Sequence, residues 1–108
     1  MSRLYIYKNG LVDMRIHTDP TPEESAVFSE HFAYLKALTK QGQVLLAGPC
    51  TDAAFGIVIF RAESDEAAQE LMDNDPVLKS GIMTAELHPF VASLFSPEGW
   101  RDCCLAST

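Results

Sequence analysis

His31 and Asp75 are the two side chains of this 108-residue chain whose types and placement point to proton chemistry. His31 falls on one helical stripe with Phe28, Leu35 and Leu38, three residues after the first and four before the second. An imidazole on the face that a helix turns inward needs a partner, or its burial costs free energy. A neighbouring carboxylate holds one ring tautomer and stabilises the protonated ring. The other nitrogen is then left to take a proton from a bound small molecule. Asp75 is read at the end of a second helix, just before Pro76, where the dipole disfavours a carboxylate and an imidazole would relieve it. Each residue also has a plainer reading. An inward histidine is commonly satisfied by a backbone carbonyl, and Asp-Pro commonly does no more than stop a helix.

The elements must decide whether the two meet. Leu4-Tyr5-Ile6-Tyr7 reads as a first strand closed by Asn9-Gly10. Residues 11 to 20 read as a loop with some strand character, broken at Asp19-Pro20. Thr21 then caps a helix from Pro22 to about Lys40, with Glu24 placed for a capping box and Gly42 for a left-handed stop. Val44 to Ala47 is a buried strand ending in a Gly48-Pro49 turn, and Phe55 to Phe60 is a second, wholly apolar enough to be covered on both faces. Ser64 caps the second helix, whose inner face is Ala67, Ala68, Leu71 and Met72. Met83 to Val91 closes the pattern as a last strand interrupted by Pro89, which suits an edge position or a strand end.

The order strand, helix, strand, strand, helix, strand predicts an α+β ferredoxin-like βαββαβ sandwich, an antiparallel sheet with both helices on one face. In that topology the helices are antiparallel, the first (22 to 41) roughly 30 Å long and the second (65 to 75) roughly 16 Å. The far end of the second then lies level with a point about 14 Å along the first, which is where His31 stands. The fold thus brings Asp75 level with His31. Its bare sheet face predicts a homodimer with two sheets face to face.

Composition excludes other classes. A net charge of −7 offers no basic stripe for nucleic acid or an anionic membrane. No apolar run approaches the ~18 residues of a membrane span, and MSRLYIYKNG is too short an apolar patch for a signal peptide. The expected setting is the cytoplasm. Three cysteines, Cys50, Cys103 and Cys104, lack framework spacing, and the adjacent pair lacks the spacing of thiol oxidoreductases. His17 beside Asp19 finds no further metal ligands, and His88 before Pro89 reads as a surface residue. Neither a metal nor a cofactor is expected. Tyr34, Gly48, Pro49, Pro76 and Phe90 are candidates for lining a substrate pocket, with core packing the plainer reading of Phe90.

HFAYLKALTKQGQVLLAGP, SDEAAQELMDNDP, Gly81 and a closing strand ending in HPF resemble the YCII-related (YciI-like) family over roughly residues 1 to 91. The resemblance implies a dimeric α+β barrel and an active-site His and Asp, at the positions of His31 and Asp75. It also implies dehydrochlorination of a chlorinated hydroxyhydroquinone or lactone isomerisation as the kind of reaction. Val77 stands where an aromatic is common in the family, which enlarges the expected pocket. Residues 92–108 form a tail outside the pattern. The expectation is a small lyase or isomerase using His31 and Asp75 on a cyclic or aromatic substrate. The alternative is a non-catalytic homodimeric domain that binds a small ligand or a partner, its His-Asp pair structural.

Overall fold

The computed structural model describes residues 2–105, with side chains through residue 103. Four strands form one antiparallel sheet: β1 (Arg3–Leu11), β2 (Val44–Pro49), β3 (Gly56–Ala62) and β4 (Met83–Phe90), in the order β2-β3-β1-β4. The long helix α2 (Pro22–Lys40) and the shorter α3 (Asp65–Asp73) pack on one face. Single turns α1 (Arg15–Thr18), α4 (Pro76–Lys79) and α5 (Pro97–Trp100) complete the element order, with a π-helical turn at Arg101–Leu105. This is the ferredoxin-like arrangement that the element order predicts.

Strand alternation sorts β1 into two faces. Tyr5, Tyr7 and Asn9 are buried toward the helices, while Leu4 and Ile6 are half-buried on the other side. On the helix side the two tyrosines meet Phe60, Val58, Val44, Leu35, Leu71 and Met72 in one core. Each large apolar side chain fully buried there contributes about 1.5–3 kcal/mol.

Several local expectations are corrected. Asn9-Gly10 does not end β1, because Asn9 stands opposite Gly56 and pairing with β4 continues to Leu11. Residues 12–20 hold a single helical turn with Met14 at its N-cap, preceded by Asp13, whose Oδ1 accepts from the Arg15 amide. Gly48-Pro49 is not a turn but the end of the edge strand β2, opposite Ile57 and Gly56; an edge tolerates the missing amide of Pro49. The reversal follows, where the Cys50 amide donates to the Phe55 carbonyl and Ala53 takes φ +65°. β3 is buried on its helix side only, with Ile57 and Ile59 half-buried on the other. Residues 97–100 of the tail form a short helix capped by Ser96.

The helix starts match expectation. Thr21 Oγ1 accepts from the Glu24 amide and Glu24 Oε1 from the Thr21 amide, a complete capping box. Gly42 at φ +78° ends α2, and Ser64 caps α3. Among the described residues no helix is long and apolar enough to cross a membrane.

Candidate active site

α2 lies over the sheet with Leu35 buried and Phe28, His31, Tyr34 and Leu38 half-buried along the same side. This stripe turns His31 inward at mid-helix. Asp75 arrives from the other helical segment, although not as the sequence suggested. α3 stops at Asp73, and Asp75 is the N-cap of a new turn, α4, with Pro76 at its first position. Its Oδ1 accepts from the Val77 amide at 3.2 Å. Asp75 therefore occupies a favourable N-cap site rather than the disfavoured end of a longer helix.

The level match is realised as contact. His31 Nδ1 lies 2.6 Å from Asp75 Oδ1. Asp75 is wholly buried and the His31 side chain is 20% exposed. Asp75 Oδ2 accepts from the Tyr7 hydroxyl, also at 2.6 Å. Three donors converge on one carboxylate, so no part of it is left unpaired in the core. With the carboxylate as acceptor, Nδ1 carries the hydrogen of this bond. Nε2 has no hydrogen-bond partner among the described residues. No fully buried side-chain nitrogen or oxygen of these part-buried residues lacks a partner, so Nε2 reaches solvent. The arrangement is a buried anchor with one ring nitrogen left open.

Tyr7 is the residue that sequence reasoning missed. Strand propensity alone does not mark Tyr5-Ile6-Tyr7 as functional, yet the two-residue period puts both tyrosines on the helix side. A tyrosine buried there needs a partner for its hydroxyl, and that need was the available signal. Burial, then the hydrogen bond to Asp75, push the Tyr7 hydroxyl far above its usual pKa. Tyr34 is pushed up to about 12, chiefly by burial and next by the charge of Asp75. Both are neutral donors at physiological pH. The Tyr34 hydroxyl donates to the Leu71 carbonyl at 2.7 Å, so its hydrogen is already engaged.

The other candidates are dispersed. Pro76 adjoins Asp75 and is half-buried. Pro49, opposite Gly56, lies on the helix side of the sheet but is exposed at its edge, and Gly48 shares the outer face with Ile57. Phe90 pairs with Leu4 on the helix-free face, 38% exposed, and so lies on the far side of the sheet from His31. Val77 is wholly buried, which places it in the core rather than on a pocket wall. His17 and His88 are exposed, and Cys50 and Cys103 are free thiols; the side chain of Cys104 lies outside the described residues. Among the described residues no three His, Cys, Asp or Glu side chains converge as a metal site. Two open surface grooves lie elsewhere, one along Asp65, Glu66, Gln69 and Asp73 of α3, the other beside Arg3, Leu4 and Phe90.

The family model for the YCII-related domain matches residues 6–90. Comparison with curated proteins gave no match. Among solved structures, the chain is similar to 5-chloro-2-hydroxyhydroquinone dehydrochlorinase from Burkholderia phenoliruptrix AC1100, in complex with 2,5-dihydroxybenzoquinone. That likeness has a TM-score of 0.64 at 18% identity and covers 82% of this chain and 93% of that one. It is also similar to muconolactone isomerase, with a TM-score of 0.66 at 15% identity, covering 86% of this chain and 96% of that one. At these identities the likeness is one of fold.

Proposed function

This chain belongs to the YCII-related domain family, and from that premise we propose that it is a small cytoplasmic lyase or isomerase acting on a cyclic or aromatic substrate. His31 is the general base and acid, and Asp75 orients it and balances its charge. The observation that supports this reading is the 2.6 Å bond from His31 Nδ1 to buried Asp75, with Nε2 open on the other side of the ring. Nε2 takes a proton from a ring carbon next to a carbonyl. Returning it to another carbon isomerises the ring; loss of a leaving group from the neighbouring carbon completes an elimination. Either route moves one proton and calls on no redox centre. The dehydrochlorinase and the isomerase of similar fold catalyse reactions of these two kinds. The free thiols Cys50 and Cys103 accord with a reducing compartment.

The test is turnover of a panel of lactones and chlorinated hydroquinones by the native protein, His31→Ala and Asp75→Asn. Both variants are expected to lose activity by at least about a hundredfold, the typical worth of a positioned general base. Turnover surviving both changes rules the dyad out.

A second reading draws on the other two bonds of Asp75. Its role as N-cap of α4 and acceptor for Tyr7 is what a purely structural carboxylate would have. In that case the protein is a homodimer that binds a small ligand or a partner without turning it over. His31→Ala would then chiefly cost stability, about 1–3 kcal/mol for a buried acceptor losing a donor.

A further inference from the structure

Asn9 lies on β1 two residues beyond Tyr7, on the same face, and is 4% exposed. A buried amide ordinarily has its oxygen and its NH2 engaged. The Asn9 side chain makes no hydrogen bond among the described residues. Yet no fully buried side-chain nitrogen or oxygen there goes without a partner, so both ends of this amide border space that solvent reaches. The position is also cleared for it. Asn9 stands opposite Gly56, and a Cβ at residue 56 would lie 2.5 Å from Asn9 Oδ1. Glycine there leaves the room that the amide fills.

Strand geometry places this amide beside Tyr7, the residue that donates to the dyad's carboxylate. Two residues along a strand are about 7 Å, so Asn9 is one side-chain step from Tyr7, which reaches Asp75 and through it His31. Asn9 Nδ2 and His31 Nε2 thus both lack a partner among the described residues, and the Tyr7–Asp75–His31 bonds link the strand that carries the first to the helix that carries the second.

Resting on the reading of His31 and Asp75 as a proton-transfer pair, we propose that Asn9 orients the substrate of that site, its Nδ2 donating to a carbonyl or enolate oxygen on a ring ligand. When a carbon next to a carbonyl gives up its proton, negative charge gathers on that oxygen, and a fixed N–H beside it stabilises the charge. The same donor selects against rings that lack the oxygen, because they leave it unsatisfied.

The test uses 2,5-dihydroxybenzoquinone as probe, titrated by its visible absorption into the native protein, Asn9→Leu and Asn9→Ala, with Tm recorded for each. An amide that serves the fold loses stability when replaced. One that serves a ligand is replaced by an apolar group at no cost, since no internal bond is lost. Binding weakened by about tenfold or more, with Tm unchanged or higher, is the expected result. Equal affinity in both variants overturns the assignment, as does a native protein that fails to bind the probe or an affinity loss that follows a fall in Tm. The two readings fail separately. Turnover that survives His31→Ala sinks the dyad, while weakened probe binding in Asn9→Leu still upholds Asn9.

Discussion

One hydroxyl joins the fold to the site. The Tyr7 side chain is core on its ring, tilted against Phe60 at 5.8 Å, and site at its oxygen, which donates to Asp75. Tyr7→Phe keeps the ring and leaves Asp75 Oδ2 buried without a donor, at an expected cost of about 1–3 kcal/mol, measurable by urea unfolding. The tyrosines also set the alkaline limit of stability. Burial comes first in raising both Tyr7 and Tyr34, with Asp75 next in each case, and Tyr34 stands at about 12. In the unfolded chain both give up their protons near pH 10. The folded chain holds them longer, so this contribution is complete below about pH 10 and is lost as pH rises beyond it. Denaturation at stepped alkaline pH should therefore show stability falling above about pH 10, with a shallower fall in Tyr34→Phe.

At the scale of elements, what was legible in the sequence was whatever depends on near neighbours. The Thr21–Glu24 capping box, the Gly42 stop and the stripe carrying His31 are all set within a few residues. Even the level match needed only helix lengths and chain order. Sequence and structure part where a distant strand or a following turn decides. Asn9-Gly10 and Gly48-Pro49 look like turns until pairing across the sheet puts Asn9 and Pro49 on either side of Gly56. Asp75 looks like a helix end until Pro76 starts another. Tyr7 needed the strand register to find its partner. Two predictions belong here. Gly56→Ala drives a Cβ against Asn9 Oδ1 and should cost about 1–3 kcal/mol, the usual range for overpacking; Asn9→Ala should relieve much of it, giving a non-additive double-mutant cycle. The second concerns acid. The Thr21 amide first, then Arg15, hold the Glu24 carboxyl below its usual range. Its contribution is present above about pH 4.5 and is lost as pH falls through the depressed value, so Glu24→Gln should flatten the acid limb of unfolding.

For the whole molecule, the two faces of the sheet have different fates. The helix side is closed by α2 and α3 and carries the dyad. The other side presents Leu4, Ile6, Leu46, Ile57 and Ile59 half-buried, with Phe90 more exposed at the strand end. Among the described residues one layer of helices is present, and the helix-free face carries Lys8, Glu86 and His88 beside its apolar centre; a second copy set sheet to sheet would cover that centre. Ile6 and Ile59 are direct cross-strand partners on the two central strands, so they mark the middle of that face. A lysine at the middle of such an interface must be desolvated without a partner, whereas in a monomer it is simply solvated. Sedimentation equilibrium should thus find the native chain as a dimer and Ile59→Lys as a monomer with unchanged far-ultraviolet circular dichroism. His31 and Asp75 lie across the sheet from that substitution. The downfield proton resonance of a histidine N–H bonded to a carboxylate should accordingly persist in the monomer and vanish in Asp75→Asn. A native chain that sediments as a monomer removes the dimer from this account; loss of the resonance on dissociation would instead tie the dyad to the assembly.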